Sequence, residues 1–247
     1  MIFNSDFFDG ILIFFCYTAI MSSSKLKYLI IIVWLLILLI GPITLLRSIE
    51  PEITFNDPEL VINFFQRLLG MMAFSLLFVQ LILGNNLNYL VRYLGPKALK
   101  YHIIEGLIAY ILIVVHPLLY VVFTYQTLGV ITLFILPNLN INSPRYELYL
   151  TYGRIAFLLL SVSVFAAIFR RNPRLRVHWR KFHILNYFAF YFVAIHAINV
   201  GSDTHAFPFN LFYWFSLLIV SWLVFKRFFL PYLKTFQSVK EDSKLPN

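Results

Sequence analysis

Long apolar stretches alternate with short polar segments along this chain. Six stretches approach or exceed the roughly 20 mostly apolar residues that a helix needs to cross a bilayer. They lie at residues 26–46, 60–83, 102–123, 147–169, 183–200 and 209–230. Their apolar residues run consecutively, whereas a transmembrane barrel would alternate polar and apolar residues over segments of about ten. The pattern predicts an all-α polytopic membrane protein with six transmembrane helices.

Composition supports the same class. Of the 247 residues, 60% are hydrophobic, 19% are aromatic and only 13% are charged, whereas charged residues make up about 25% of a soluble domain. A single cysteine, Cys16, excludes an intramolecular disulfide and a thiolate-bound iron–sulfur cluster. Lipid is therefore the main surrounding of this chain.

Charge is distributed unequally among the polar connections. The connections after the second and fourth stretches are basic, the first is acidic, and the third and fifth are nearly uncharged; the basic residues are Arg92, Lys97, Lys100, Arg170, Arg171, Arg174, Arg176, Arg180 and Lys181. Because cytoplasmic loops carry the excess of Lys and Arg, both basic connections and both termini are predicted to be cytoplasmic. The net charge of +9 then reflects topology in a plasma membrane, and no nucleic-acid partner is expected.

Residues 1–25 allow several interpretations. The run Phe7–Met21 is apolar but short and contains Asp9, as in a signal-like segment, a re-entrant piece or a short extra span. Alternatively, Met21 is the natural start, because a polar and basic flank follows it. The predicted organisation is an N-terminal segment at 1–25, a transmembrane domain at 26–230 and a cytoplasmic tail at 231–247.

Four histidines fall inside the apolar stretches at nearly matching intervals. His102 and His116 are fourteen residues apart, and His183 and His196 are thirteen apart. Ionisable residues inside a membrane are functional candidates by default. The third and fifth helices run in the same direction, so His102 would face His183 near the cytoplasmic side and His116 would face His196 near the outer side. Each pair is predicted to bind the iron of one haem, at levels roughly 20 Å apart.

The two intervals differ in angle. At about 100° per residue, fourteen steps return to within about 40° of the same helix face, whereas thirteen steps leave the second histidine about 140° away. The fifth helix must therefore be distorted, or its two haems are laterally offset. Zinc is the weaker alternative, because zinc ligands on one helix are usually three to five residues apart.

Three segments carry a resemblance to a known family. The runs YHIIEGLIAYILIVVHPLLY at 101–120 and VHWRKFHILNYFAFYFVAIHAINVG at 177–201 resemble the third and fifth helices of the ferric reductase-like transmembrane domain, and QRLLGMMAFSLLFVQLILG at 66–84 resembles its second helix. The superfamily includes ferric-chelate reductases, NADPH oxidases and the haem-binding membrane subunit of the periplasmic methionine sulfoxide reductase system. The resemblance covers about residues 60–230. It implies a six-helix haem-binding bundle with two b-type haems, each bound by two histidines.

Other polar residues within the spans have two interpretations each. Arg67 and Arg154 would lie at the depth of the outer haem and bind its propionates or assist an acceptor, or else extend to the interface. Glu105 would tune the inner haem or relay a proton, or else be solvated at the inner edge. Gly106 would admit a porphyrin or serve helix packing.

The better-known members carry an FAD and nicotinamide module after the sixth helix, whereas seventeen residues follow Leu230 here and no GxGxxG fingerprint is present. Electrons are therefore expected from a separate flavoprotein, from FMN or FAD held at the cytoplasmic loops, or from quinone. Ferric iron, a protein or oxygen would accept them outside.

The predicted function is transmembrane electron transfer by an oxidoreductase component. The alternatives are a methionine sulfoxide reductase-type membrane subunit and a non-redox transporter with histidine proton relays.

Overall fold

The computed structural model describes residues 23–131, 136–138, 140 and 142–232, so most of segment 1–25 and of tail 231–247 lies outside the described residues. The regular structure of the described residues is helical. The α-helices are α1 (Ser23–Ser48), α2 (Pro51–Asn56), α3 (Pro58–Asn85), α4 (Leu87–Leu94), α5 (Lys97–Leu128), α6 (Arg145–Ile168), α7 (Trp179–His183), α8 (Leu185–Val200) and α9 (Phe209–Val224). Short 3-10 helices follow α6 and α8, and a π-helix, Phe225–Phe229, extends α9.

Six helical segments of the described chain are long and apolar enough to span a bilayer: Tyr28–Ser48, Pro58–Asn85, Lys97–Leu128, Arg145–Arg171, Trp179–Val200 and Phe209–Tyr232. Each overlaps one predicted stretch. The prediction of an all-α polytopic membrane protein with six transmembrane helices is confirmed.

Local sequence explains where one long span begins and where another ends. Asp57 caps α3 by accepting hydrogen bonds from the backbone N–H groups of Glu59 and Leu60, and Pro58 takes the first helical position, where its missing N–H costs nothing. Gly129 ends α5 in the left-handed conformation, with φ of +66°, which glycine adopts without strain.

The bundle is built from two closely packed helix pairs. Helix α3 lies along α5, and α6 lies along α8, while α1 and α9 pack against α3 and complete the bundle. Aromatic rings fill the middle of the core: Phe74 on α3 lies 5.5 Å from Phe190 on α8 and 5.7 Å from Phe209 on α9, measured between ring centres. The two helix pairs therefore meet across a solid aromatic layer.

The fifth span is interrupted. A distortion of this helix is one of the two explanations that the sequence offered for the thirteen-residue interval between His183 and His196. Helix α7 ends at His183, Ile184 forms a turn, and α8 begins at Leu185. The N–H of Tyr187 donates to the carbonyl of Ile184 at 3.1 Å, a tighter bond pattern than that of an α-helix. No proline or glycine lies between Trp179 and Val200, so tertiary packing rather than local sequence sets this turn.

Two short helices were not predicted. Helix α2 lies in the acidic first connection, and α4 lies in the basic connection after α3. Helix α4 ends at Gly95, whose φ of +78° is strained for residues with a side chain. Both helices are too short to alter the order of the spans.

Candidate functional site

The four histidines of the spans form two ring pairs in the folded chain. The ring centres of His102 and His183 are 6.3 Å apart and their planes are at 86°. Those of His116 and His196 are 6.5 Å apart, at 78°. Each pair joins α5 to the interrupted fifth span, with His183 ending α7 and His196 lying on α8.

This spacing fits one metal ion between each pair of rings. A metal–imidazole bond is about 2.0 Å long and a ring nitrogen lies about 1.1 Å from the ring centre, so two imidazoles on opposite sides of one ion have centres about 6.2 Å apart. Among the described residues no group of three or more His, Cys, Asp or Glu side chains is placed to hold a metal. The spacing therefore allows each pair to supply two imidazole nitrogens to one ion, and any further ligands would come from a bound group.

Hydrogen bonds fix the orientation of the rings at the His116–His196 pair. Nδ1 of His116 lies 2.7 Å from the carbonyl oxygen of Gln66, and Nδ1 of His196 lies 3.1 Å from that of Tyr149. A carbonyl only accepts, so Nδ1 carries the proton in both rings. Nε2 is then the nitrogen with a free lone pair, the usual arrangement of a metal-binding histidine.

The His102–His183 pair is held differently. Nδ1 of His183 contacts the Ser163 hydroxyl at 3.2 Å and the Asn186 amide at 3.4 Å. Nδ1 of His102 is buried and has no hydrogen-bond partner among the described residues. The two pairs therefore have similar ring spacing but different surroundings.

Glycines bring three of the rings against the helix backbone. A Cβ atom on Gly70 would lie 2.8 Å from Cε1 of His116, and one on Gly153 would lie 2.9 Å from Nδ1 of His196. A Cβ on Gly84 would approach Cε1 of His102 to 3.3 Å. Contacts under 3.0 Å cannot be accommodated without displacement, so Gly70 and Gly153 leave room for the imidazoles.

Sequence reasoning missed these glycines, although the chain carries a signal for two of them. The pentapeptides QRLLG, ending at Gly70, and QLILG, ending at Gly84, repeat at an interval of fourteen residues on α3. His102 and His116 repeat at the same interval on the neighbouring helix α5. Two adjacent helices with equal intervals place one glycine beside each histidine.

A cavity of about 360 Å³ adjoins the His116–His196 pair, and both predicted arginines, Arg67 and Arg154, line it. Arg67 forms a two-pronged ion pair with Asp203, at 2.7 Å from Nε and 2.6 Å from Nη2. Arg154 is paired with Glu147 on its own helix. Both cations are thus held in place beside the cavity, and Asp203 is a site residue that sequence reasoning did not single out.

A family model described as the ferric reductase-like transmembrane component matches residues 69–194, just over half of the chain. The chain belongs to this family. The match includes three of the four histidines and the glycines at 70, 84 and 153, while His196, Arg67 and α1 lie outside it. Neither the curated proteins nor the solved structures contain a significant match to the chain.

Membership of the ferric reductase-like family has two consequences. Domains of this family generally bind haem, and they belong to transmembrane oxidoreductases. The redox interpretation of the histidines is therefore favoured over proton relays in a transporter.

Glu105 and Gly106 of this ferric reductase-like domain each had two interpretations from the sequence. Glu105 is only 7% exposed, so a carboxylate solvated at the inner edge was the wrong alternative. Gly106 lies against Gln80 of α3, whose Oε1 would be 3.1 Å from an added Cβ. This contact supports the helix-packing interpretation of Gly106, and the porphyrin interpretation stays a prediction.

Proposed function

We propose that this chain carries electrons across the plasma membrane through two b-type haems. The strongest support is that four histidines of one six-span bundle form two ring pairs. The ring centres are 6.3 Å apart in His102–His183 and 6.5 Å apart in His116–His196. A bound haem supplies reversible one-electron chemistry of iron. The protein supplies axial nitrogens, shape and charge.

His102 and His183 would hold the inner haem, and His116 and His196 the outer one. Gly70 and Gly153 leave the room that the outer pair of imidazoles needs, and the backbone carbonyls of Gln66 and Tyr149 keep these rings in one tautomer. Such outer hydrogen bonds commonly tune the affinity of a metal site.

Arg67 and Arg154 are the residues suited to the carboxylates of the outer haem. Both line the cavity beside the His116–His196 pair, and guanidinium groups bind carboxylates through paired hydrogen bonds. Asp203 and Glu147 hold the two side chains in ion pairs. The four groups together limit the net charge at the cavity and keep its cations oriented.

Electrons would enter at the basic, cytoplasmic face and leave at the acidic, outer face. The donor is a separate flavoprotein, an FMN or FAD at the inner loops, or membrane quinone, and the acceptor is ferric iron, a protein or oxygen. The His102–His183 pair lies on the side of the basic connections, so electrons would reach it before the outer pair.

The absorption spectrum of the purified protein tests this proposal. We expect a reduced-minus-oxidised spectrum with b-type haem bands and two haems per chain. His116→Ala and His196→Ala should each lose one haem and keep the other, because the inner ligands are untouched. The matched control is His178→Ala, since His178 is an exposed residue of the basic connection and should keep both haems. A wild-type protein without haem bands, or full haem content in both variants, would contradict the proposal.

A further inference from the structure

A buried carboxyl group lies three residues after His102 in the membrane-spanning part of α5. Glu105 is 7% exposed and forms no ion pair with any described residue. Its two oxygens each accept one hydrogen bond: Oε1 from the indole Nε1 of Trp34 on α1 at 3.0 Å, and Oε2 from the amide Nε2 of Gln80 on α3 at 2.9 Å. Polar groups at such depth are costly and mark functional candidates.

The same amide reaches the inner histidine. Nε2 of Gln80 also donates to the backbone carbonyl of His102, at 3.0 Å. Gly84, four residues after Gln80 and therefore on the same face of α3, lies against the His102 ring. Helix α3 thus contacts His102 twice, at its carbonyl and at its imidazole.

His102 needs such support because its ring has no anchor of the usual kind. The other three histidines of the spans have a hydrogen-bond partner at Nδ1, whereas Nδ1 of His102 has none among the described residues. The outer histidine of the same helix, His116, is anchored through its ring to the carbonyl of Gln66. The inner histidine of this helix, His102, is held through its backbone carbonyl.

We propose that Trp34, Glu105 and Gln80 form a positioning network that holds His102 in the orientation its partner His183 requires. The inference deepens the proposed function and rests on it, because it assigns three residues to the support of the inner haem ligand. Trp34 lies on α1, outside the matched family region of 69–194, so α1 contributes to the inner site.

The chemistry of the network requires a carboxyl group at position 105. Two donors, the indole N–H and the Gln80 amide, converge on it, and a carboxyl group offers two oxygen acceptors, whereas a glutamine amide offers one oxygen and one further donor. In Glu105→Gln one N–H group must therefore face another donor. The Gln80 amide can relieve this by rotating, and it then loses its bond to the His102 carbonyl.

Glu105→Gln is the decisive variant, and Trp34→Phe is the milder one because it removes a single donor. In the haem-loaded protein we expect both to keep two haems, while the low-temperature electron paramagnetic resonance signal and the midpoint potential of the inner haem shift and those of the outer haem do not. The exchange variant Gln80→Glu with Glu105→Gln keeps both group types but removes the donor to His102, so it should not restore the inner signal. Trp214→Phe is the control, since Trp214 is 60% exposed.

A second measurement separates this inference from the proposed function. In protein produced without haem and labelled with [¹⁵N]histidine, Glu105→Gln should change the ring nitrogen resonances of His102 and leave those of His116 and His196 unchanged. Unchanged His102 resonances, or equal shifts at all three residues, would overturn the positioning role. A wild-type protein without haem bands whose His102 resonances still respond would instead overturn the proposed function alone.

Discussion

At the scale of single residues, the His116–His196 pair depends on two positions that carry no side chain. A Cβ atom on Gly70 would lie 2.8 Å from Cε1 of His116, and one on Gly153 would lie 2.9 Å from Nδ1 of His196. Atoms in a packed interior cannot approach so closely without displacement. The choice of glycine at these positions therefore fixes where the imidazoles can lie.

Gly70→Ala should disrupt the outer site. The added methyl group would displace the His116 imidazole from its position opposite His196, and we expect the haem content to fall from two per chain to one. The ratio of haem to protein in the purified variant measures this.

Gly84→Ala is the matched comparison on the same helix. Its Cβ would come only to 3.3 Å of the His102 ring, a distance that a small shift can accommodate. This variant should keep both haems, with a changed spectrum at the inner site. Two haems with unchanged spectra in Gly70→Ala would show that the outer site tolerates a displaced ring.

At the scale of elements, the turn at Ile184 brings two histidines thirteen residues apart to matching partners. On one continuous helix they would point about 140° apart. The chain instead ends α7 at His183 and restarts as α8 at Leu185. His183 and His196 consequently each face one histidine of α5. The two histidines of α5 need no such break, because fourteen residues return to within about 40° of the same helix face.

Inserting one alanine between Ile184 and Leu185 should change the orientation of α8 relative to α7. One extra helical residue rotates α8 by about 100° and shifts it by about 1.5 Å relative to α7. His196 would then turn away from His116, and we expect loss of the outer haem, read from haem stoichiometry. An alanine inserted between Arg174 and Leu175, in the connection before α7, serves as the control and should keep both haems. Equal haem content in the two insertion variants would mean that the turn absorbs an extra residue.

At the scale of the whole molecule, aromatic rings fill the core where the two helix pairs meet. Phe190 on α8 is completely buried against Phe74 of α3. Most of the outward surface of the spans is apolar, and most basic residues of the described chain lie at the end of the bundle that holds the two basic connections. The arrangement is suited to a path between two aqueous faces that is insulated from lipid.

Single cysteines test the membrane topology, and with it the proposed direction of electron transfer. In a Cys16→Ser background, Glu52→Cys in α2 should react with a membrane-impermeant maleimide on intact cells, because the acidic connection is predicted to face outward. Arg176→Cys, in the basic connection, should react only after the membrane is permeabilised. The reverse pattern would invert the topology and with it the proposed direction of electron flow.

Much of the fold could be predicted because hydrophobic length is a property of each segment alone. Any 20-residue apolar run must satisfy its backbone internally in lipid, so the six spans follow from the sequence without knowledge of their neighbours. The histidine pairing could also be predicted, because equal direction of two helices and similar intervals leave one matching of levels. The short helices α2 and α4 could not, since each lies in a connection where no length requirement applies.

The residues that contact the histidines and arginines of the site were harder to predict, because these contacts depend on which helices are adjacent. The QRLLG and QLILG repeat is visible in the sequence, but it has meaning only when α3 is known to lie along α5. Asp203 lies in the short 3-10 helix after α8, 136 residues from Arg67 in sequence, and their ion pair forms only after α3 and this connection come together. Contacts of such long sequence separation leave no local pattern.

The sequence by itself determined the membrane class, the six spans, the charge asymmetry and the four candidate ligands, because each of these depends on side-chain hydrophobicity, charge and spacing within a segment. Only the tertiary structure decided the turn at Ile184, the glycine contacts of the imidazoles and the network from Trp34 to His102. These depend on packing between helices, where a difference of a few tenths of an ångström or one hydrogen-bond donor decides which arrangement fits.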